Sequence, residues 1–131
     1  MKFYWDSSAL IRALEEPNIH ASLRSGQNFT RPHTLAEVFS TLTKGVRFRY
    51  SPEDATVLAE DMARHLEFVE LTTHDTLNAL KKAQAQGVRG ARIHDLMHAE
   101  AAIKCGADTL LTVDSAGFSS LSLPLSITYP H

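Results

Sequence analysis

The sequence predicts an α/β fold, a three-layer α/β/α sandwich around a central parallel sheet. Two observations carry this. Short apolar runs alternate with stretches of helical periodicity along the 131 residues, an order that favours a parallel sheet with helices on both faces. Two of the apolar runs, residues 2–5 and 109–113, end directly at an aspartate, Asp6 and Asp114.

The first run feeds through Asp6-Ser7-Ser8 into Ala9-Leu10-Ile11-Arg12-Ala13-Leu14, which reads as a strand, a cap and a helix. Pro17 is expected to close that helix, with a short second helix over His20 to Arg24 and a brief strand around Asn28 to Thr30. Pro32 opens the next helix, where Leu35, Val38, Phe39 and Leu42 form one apolar face from Thr34 to about Val46. Glu37 lies off the centre of that stripe. Ser51-Pro52-Glu53-Asp54 combines a cap, a first-position proline and two acids that suit the helix dipole, so a helix should run to about His65.

Phe68 to Leu71 fits a buried strand, and Thr73 to Gln86 a helix ended by Gly87. His94 to Cys105, rich in alanine, predicts a tightly packed helix with Asp95 in its first turn. Thr109 to Val113 reads as a buried strand, and Leu125 to Thr128 as an edge strand before Pro130. No linker, repeat or low-complexity segment interrupts this order, so a single domain over 1–131 is expected.

Composition narrows the function. With 44% hydrophobic and 21% charged residues the chain can build its own core. One cysteine, Cys105, excludes an internal disulfide and cysteine-based metal sites, and a buried thiol is its expected state. Asp6 breaks any signal-peptide apolar region and no run approaches the ~18 apolar residues of a membrane span, so a cytoplasmic protein without a membrane partner is expected. Net charge is -2, which does not suit nucleic-acid binding by global electrostatics. A nucleic-acid surface would have to be local. Lys44, Arg47 and Arg49 beside Tyr50, and Arg89 with Arg92, are the basic candidates, and both clusters read equally as solvated charge.

In open α/β sheets, functional groups collect beyond the carboxyl ends of the strands, which directs Asp6 and Asp114 toward one crevice. Glu37 and Asp95, near helix starts, can join them there. Carboxylates so gathered raise one another's pKa until a proton or a cation relieves them, and oxygen-only ligands select hard cations, Mg²⁺ or Mn²⁺. Such a cation keeps positions open for phosphate oxygens, so the implied substrate carries phosphates.

Four segments now carry a family resemblance: Tyr4-Trp5-Asp6-Ser7-Ser8-Ala9-Leu10, Leu35-Ala36-Glu37-Val38-Phe39, Asp95-Leu96-Met97-His98-Ala99-Glu100-Ala101-Ala102, and Leu111-Thr112-Val113-Asp114-Ser115-Ala116-Gly117-Phe118. In this order and spacing the chain resembles PIN domains, VapC-like toxins in particular, over nearly its whole length. The resemblance implies a PIN-like parallel sheet with Asp6, Glu37, Asp95 and Asp114 as the catalytic acids, binding one or two divalent ions. It further implies hydrolysis of RNA phosphodiesters, a small antitoxin partner and a homodimer. Ser7 and Thr112 are the hydroxyls it suggests behind Asp6 and Asp114, although a helix cap and a strand residue are their plainer readings. An antitoxin would be sought on the helices from Thr34 to His65, near Phe39, Phe48 and Tyr50, with core packing the default for Phe39.

The chain departs from the family pattern after Asp114, where Ser115, Ala116 and Gly117 supply no further acid, so a second metal is expected to bind weakly. A PIN fold that binds RNA or protein with little or no cutting is the alternative. A haloacid-dehalogenase-type phosphatase expects an aspartate two residues after the first, where this chain has Ser8. His94 and His98, one turn apart, lack the partner pattern of a zinc protease and read as ordinary or internally satisfied histidines.

Overall fold

Strand β1 (Lys2–Trp5) runs through the centre of the sheet, and the alternation of its side chains sets up the layers. Trp5 enters one apolar core and Tyr4 the other, each fully buried. The computed structural model describes residues 1–131. Around β1 lie β2 (Gln27–Thr30), β3 (Glu67–Phe68), β4 (Thr109–Leu111) and β5 (Ser126–Thr128), in the order β3-β2-β1-β4-β5 with every neighbouring pair parallel.

Helices α1 (Ser7–Glu15), α2 (Pro17–Leu23), α3 (Pro32–Thr43) and α4 (Pro52–Ala63) supply the Trp5 side, through residues such as Leu10, Ile19, Val38, Leu42 and Met62. Helices α5 (Thr73–Gln86), α6 (Arg92–Lys104) and α7 (Ala116–Ser119) supply the Tyr4 side, through Ala83, Leu96, Ala99, Ala101, Ala102 and Phe118. The fully buried alanines of α6 let it lie close against its neighbours, as its composition predicted. Each large side chain so buried contributes about 1.5–3 kcal/mol relative to exposure. No helix is long and apolar enough to cross a membrane.

The helix starts follow from local chemistry. Asp6 caps α1 by accepting from the Ala9 amide at 2.9 Å, and Ser51 caps α4. Thr72 and Asp75 form a reciprocal capping box on α5, which ends at Gly87 with φ 67°, a conformation glycine adopts without strain.

Several boundaries differ from expectation. Pro17 also opens α2, sitting at its first position, because the missing amide is unneeded there, so the helix begins three residues before His20. Helix α3 stops at Thr43, short of Val46, and Gly45 follows with φ 80°. The strand expected over Phe68 to Leu71 is only Glu67–Phe68 and is exposed. It pairs at the sheet's edge with the last residues of β2, and one further bond, Val69 N to Thr30 O at 2.8 Å, ends the ladder before Pro32. The short α7 was not anticipated. Cys105 is half-buried at the end of α6, where burial pushes its thiol pKa up.

Candidate active site at the carboxyl edge of the sheet

Asp6 stands immediately after β1 and is 6% exposed. Its amide donates to Leu111 O at 3.1 Å, extending the β1–β4 pairing by one step. Its Oδ1 accepts from Ser8 Oγ at 2.7 Å and from the Ala9 amide. Burial raises its pKa, against the pull of the Thr112 and Ser8 hydroxyls, the Ala9 amide and His98.

The hydroxyl that holds Asp6 is therefore Ser8's rather than Ser7's. At the first helical position Ser7 points elsewhere, whereas Ser8 also lies 3.3 Å from Thr112 Oγ1 and accepts the Val113 amide at 3.0 Å. Ser8 thereby ties the start of α1 to the segment after β4. Thr112, fully buried, accepts the Asp114 amide at 3.2 Å, so it positions Asp114 through the main chain.

Asp95 lies in the first turn of α6, as expected. Burial raises its pKa, and repulsion from Asp6 and Asp114 adds to this against the attraction of His98 and Arg92. These three aspartates, from β1, α6 and the end of β4, thus share one electrostatic environment. Gly117 marks where two of them converge. A Cβ there would lie 2.8 Å from Asp95 Oδ2 and 3.6 Å from Asp114 Oδ2.

Glu37 is held by His98. Its Oε1 accepts from His98 Nε2 at 2.8 Å, and Tyr4 Oη lies 2.8 Å from His98 Nδ1. Burial works to raise the Glu37 pKa, but the hydrogen bond from His98 and the charges of His98, His33 and His94 outweigh it, and the carboxyl sits below its ordinary range. Sequence reading took His98 as an ordinary or satisfied histidine. It is satisfied, at 3% exposure, but by a candidate catalytic acid. The available signal was the spacing of Asp95 and His98, which puts both on one helical face.

The donors that could hold a metal are all carboxylate oxygens, a set suited to a hard divalent cation. Asp6, Asp95 and Asp114 fit this chemically, and the missing side chain at Gly117 leaves room beside two of them. As posed, no three His, Cys, Asp or Glu side chains reach metal-holding spacing, so a cation would have to draw the carboxylates inward.

The basic residues divide by position. Arg92, in the first turn of α6, donates to Ser120 and influences Asp95. Arg89 is exposed in the turn before α6. Lys44, Arg47 and Arg49 are not brought to the acids: they follow the far end of α3, two turns beyond Glu37, and Arg47 is paired with Glu15 at the far end of α1. Sequence reading missed Arg31 and His33. His33 faces His94 with ring centroids 6.3 Å apart and planes 18° from parallel, and a cleft of about 350 Å³ beside it is lined by Arg31, His33, Glu70, Leu71, Thr72 and Thr76. Phe39 and Phe48 pack against the first core, leaving Tyr50 exposed beside Phe48.

Residues 3–122 match the family model described as PIN domain. Three solved structures share the fold. The crystal structure of PAE2754 from Pyrobaculum aerophilum aligns with TM-score 0.72 at 19% identity, covering 98% of this chain and 90% of that one. VapBC2 from Rickettsia felis, bound to a DNA fragment from their promoter, aligns with TM-score 0.67 at 16% identity, covering 97% and 98%. VapBC-1 from nontypeable Haemophilus influenzae gives 0.68 at 18% identity, covering 98% of each chain. A search of curated proteins finds no significant match.

Proposed function

The chain belongs to the PIN domain family, and from that premise we propose that it is a Mg²⁺-dependent endoribonuclease, with Mn²⁺ able to substitute. The observation that carries this reading is the approach of Asp95 and Asp114 at Gly117, with Asp6 at the end of β1 bearing electrostatically on Asp95. When bound, Mg²⁺ would supply Lewis-acid polarisation of the phosphodiester and neutralise charge developing on the phosphoryl oxygens.

The protein's part is to hold and orient. Asp6 is fixed by Ser8 and the Ala9 amide, and Asp114 is placed through its amide on Thr112. Burial and the other two aspartates disfavour the charge of Asp95, which a cation would compensate. Arg92, Arg31 and the His33–His94 pair border this edge and offer the local contacts to RNA that a net charge of -2 requires. The VapBC neighbours support a small antitoxin partner, and a homodimer, a cytoplasmic setting and action as one domain belong to the same proposal.

The test uses the purified chain, free of any co-purified partner, with labelled RNAs in Mg²⁺, Mn²⁺ or EDTA, beside Asp6→Asn and Asp95→Asn. Metal-dependent cleavage that both substitutions remove is the expected result. RNA binding without cleavage would overturn it in favour of a non-cutting PIN module, and cleavage unchanged in both variants would overturn the assignment of these acids.

A further inference from the structure

We propose that His98, anchored by Tyr4, is a positioning residue that fixes the pose of Glu37 for the reaction at this edge of the sheet. The inference rests on the reading above for its reaction, but its geometry stands separately.

Tyr4, His98 and Glu37 form a continuous chain with two 2.8 Å hydrogen bonds, across three elements. Tyr4 is fully buried on β1, two residues before Asp6, and His98 is buried on α6, one turn after Asp95. Glu37 comes from α3, whose Val38 and Leu42 belong to the opposite core. The chain therefore ties Glu37 to the two elements that present Asp6 and Asp95.

Its polarity follows from donor inventory. The Glu37 carboxylate can only accept, so His98 donates from Nε2, and in the neutral ring Nδ1 then accepts from the Tyr4 hydroxyl. With both ring nitrogens engaged, His98 cannot itself serve as a proton acceptor for substrate. Its effect is to hold a side chain with three rotatable bonds in one pose and to occupy one of its two oxygens, leaving the other for solvent. His98 also attracts the charges of Asp6 and Asp95, so the residue that holds Glu37 bears on the aspartates as well.

Two measurements test this. Long-range proton–nitrogen NMR on the metal-free chain should show His98 protonated on Nε2; a proton on Nδ1 alone would overturn the clamp whatever the enzyme's activity. Mn²⁺ titration followed by electron paramagnetic resonance should then find Kd within about threefold of wild type in His98→Gln, and at least about tenfold weaker in Asp95→Asn. In RNA cleavage both Glu37→Gln and His98→Ala should lower kcat by about 10–100-fold with little change in KM, and His98→Gln, whose amide can still donate to Glu37, should recover part of the loss. Cleavage by His98→Ala as fast as wild type would overturn the positioning role. Absence of Mn²⁺ binding in wild type would overturn the metal-dependent reading, while the NMR result would still decide the clamp.

Discussion

Gly117 and Asp95 approach so closely that a methyl group on the glycine would come within 2.8 Å of Asp95 Oδ2. The backbone of Gly117 does not have positive φ, so alanine is conformationally acceptable there. The group that must give way is the end of a side chain. Gly117→Ala should therefore leave the melting temperature nearly unchanged while cutting RNA cleavage by about 10–100-fold, because only the carboxylate moves. Parallel thermal melts and cleavage rates would check this, and a full cleavage rate in the variant would show that the pose of Asp95 does not matter.

Asp95→Asn should trade activity for stability. The folded carboxyl has a pKa above its ordinary value of 3.8, so its charged form disfavours folding at neutral pH. That penalty is absent well below 3.8, grows as pH rises from there toward the folded value, and is complete above it. In EDTA at pH 7 the variant should melt higher than wild type, with the gap closing as pH falls, while cleavage drops by on the order of 100-fold or more. Melting curves across pH would settle the sign.

Asp75 gives the opposite pH signature far from the site. Its bonds to Lys104 Nζ at 2.7 Å and to the Thr72 amide at 2.9 Å hold its carboxyl down to about 2. The stability it contributes is fully present above 3.8 and is lost as pH falls through about 2. Asp75→Asn should melt below wild type at neutral pH, by a margin that shrinks on acidification and in high salt, since the pair is solvent-facing.

The His33–His94 pair should bind substrate rather than promote chemistry. Replacing both by alanine should raise KM for RNA by about 10-fold, the loss of one stacking contact, and leave kcat within a few-fold. A kcat effect that exceeds the KM effect would instead assign the pair to the reaction. Steady-state kinetics on a single short RNA would distinguish the two.

Much of the fold could be read directly because its signals are local. The apolar run ending at Asp6, the Ser51-Pro52 start and the Thr72 to Gly87 helix each carry their own cap or stop. The misread elements depend on what lies beside them. Phe68 to Leu71 has the apolar character of a core strand but finds only the last residues of β2 to pair with. At the site, Asp6 and Asp114 were placed together by strand ends, whereas the choice of Ser8 over Ser7 depends on helical direction, one residue turning the hydroxyl toward Thr112. His98 was legible as a satisfied histidine, but its partner lies 61 positions earlier, and no periodicity reports a contact between two helices on opposite layers.

The pairing of β1 with β4 joins Phe3 to Thr109 and Trp5 to Leu111, the first strand to nearly the last. Asp114 reaches Asp6 through this late partner, so a growing chain on the ribosome carries Asp6 and Glu37 long before the site can be completed. Loop closure of that length must precede the contacts that reward it, which makes the site a late product of folding. On the proposed reading, the site stays incomplete through most of translation and is assembled only once residue 114 has joined the sheet.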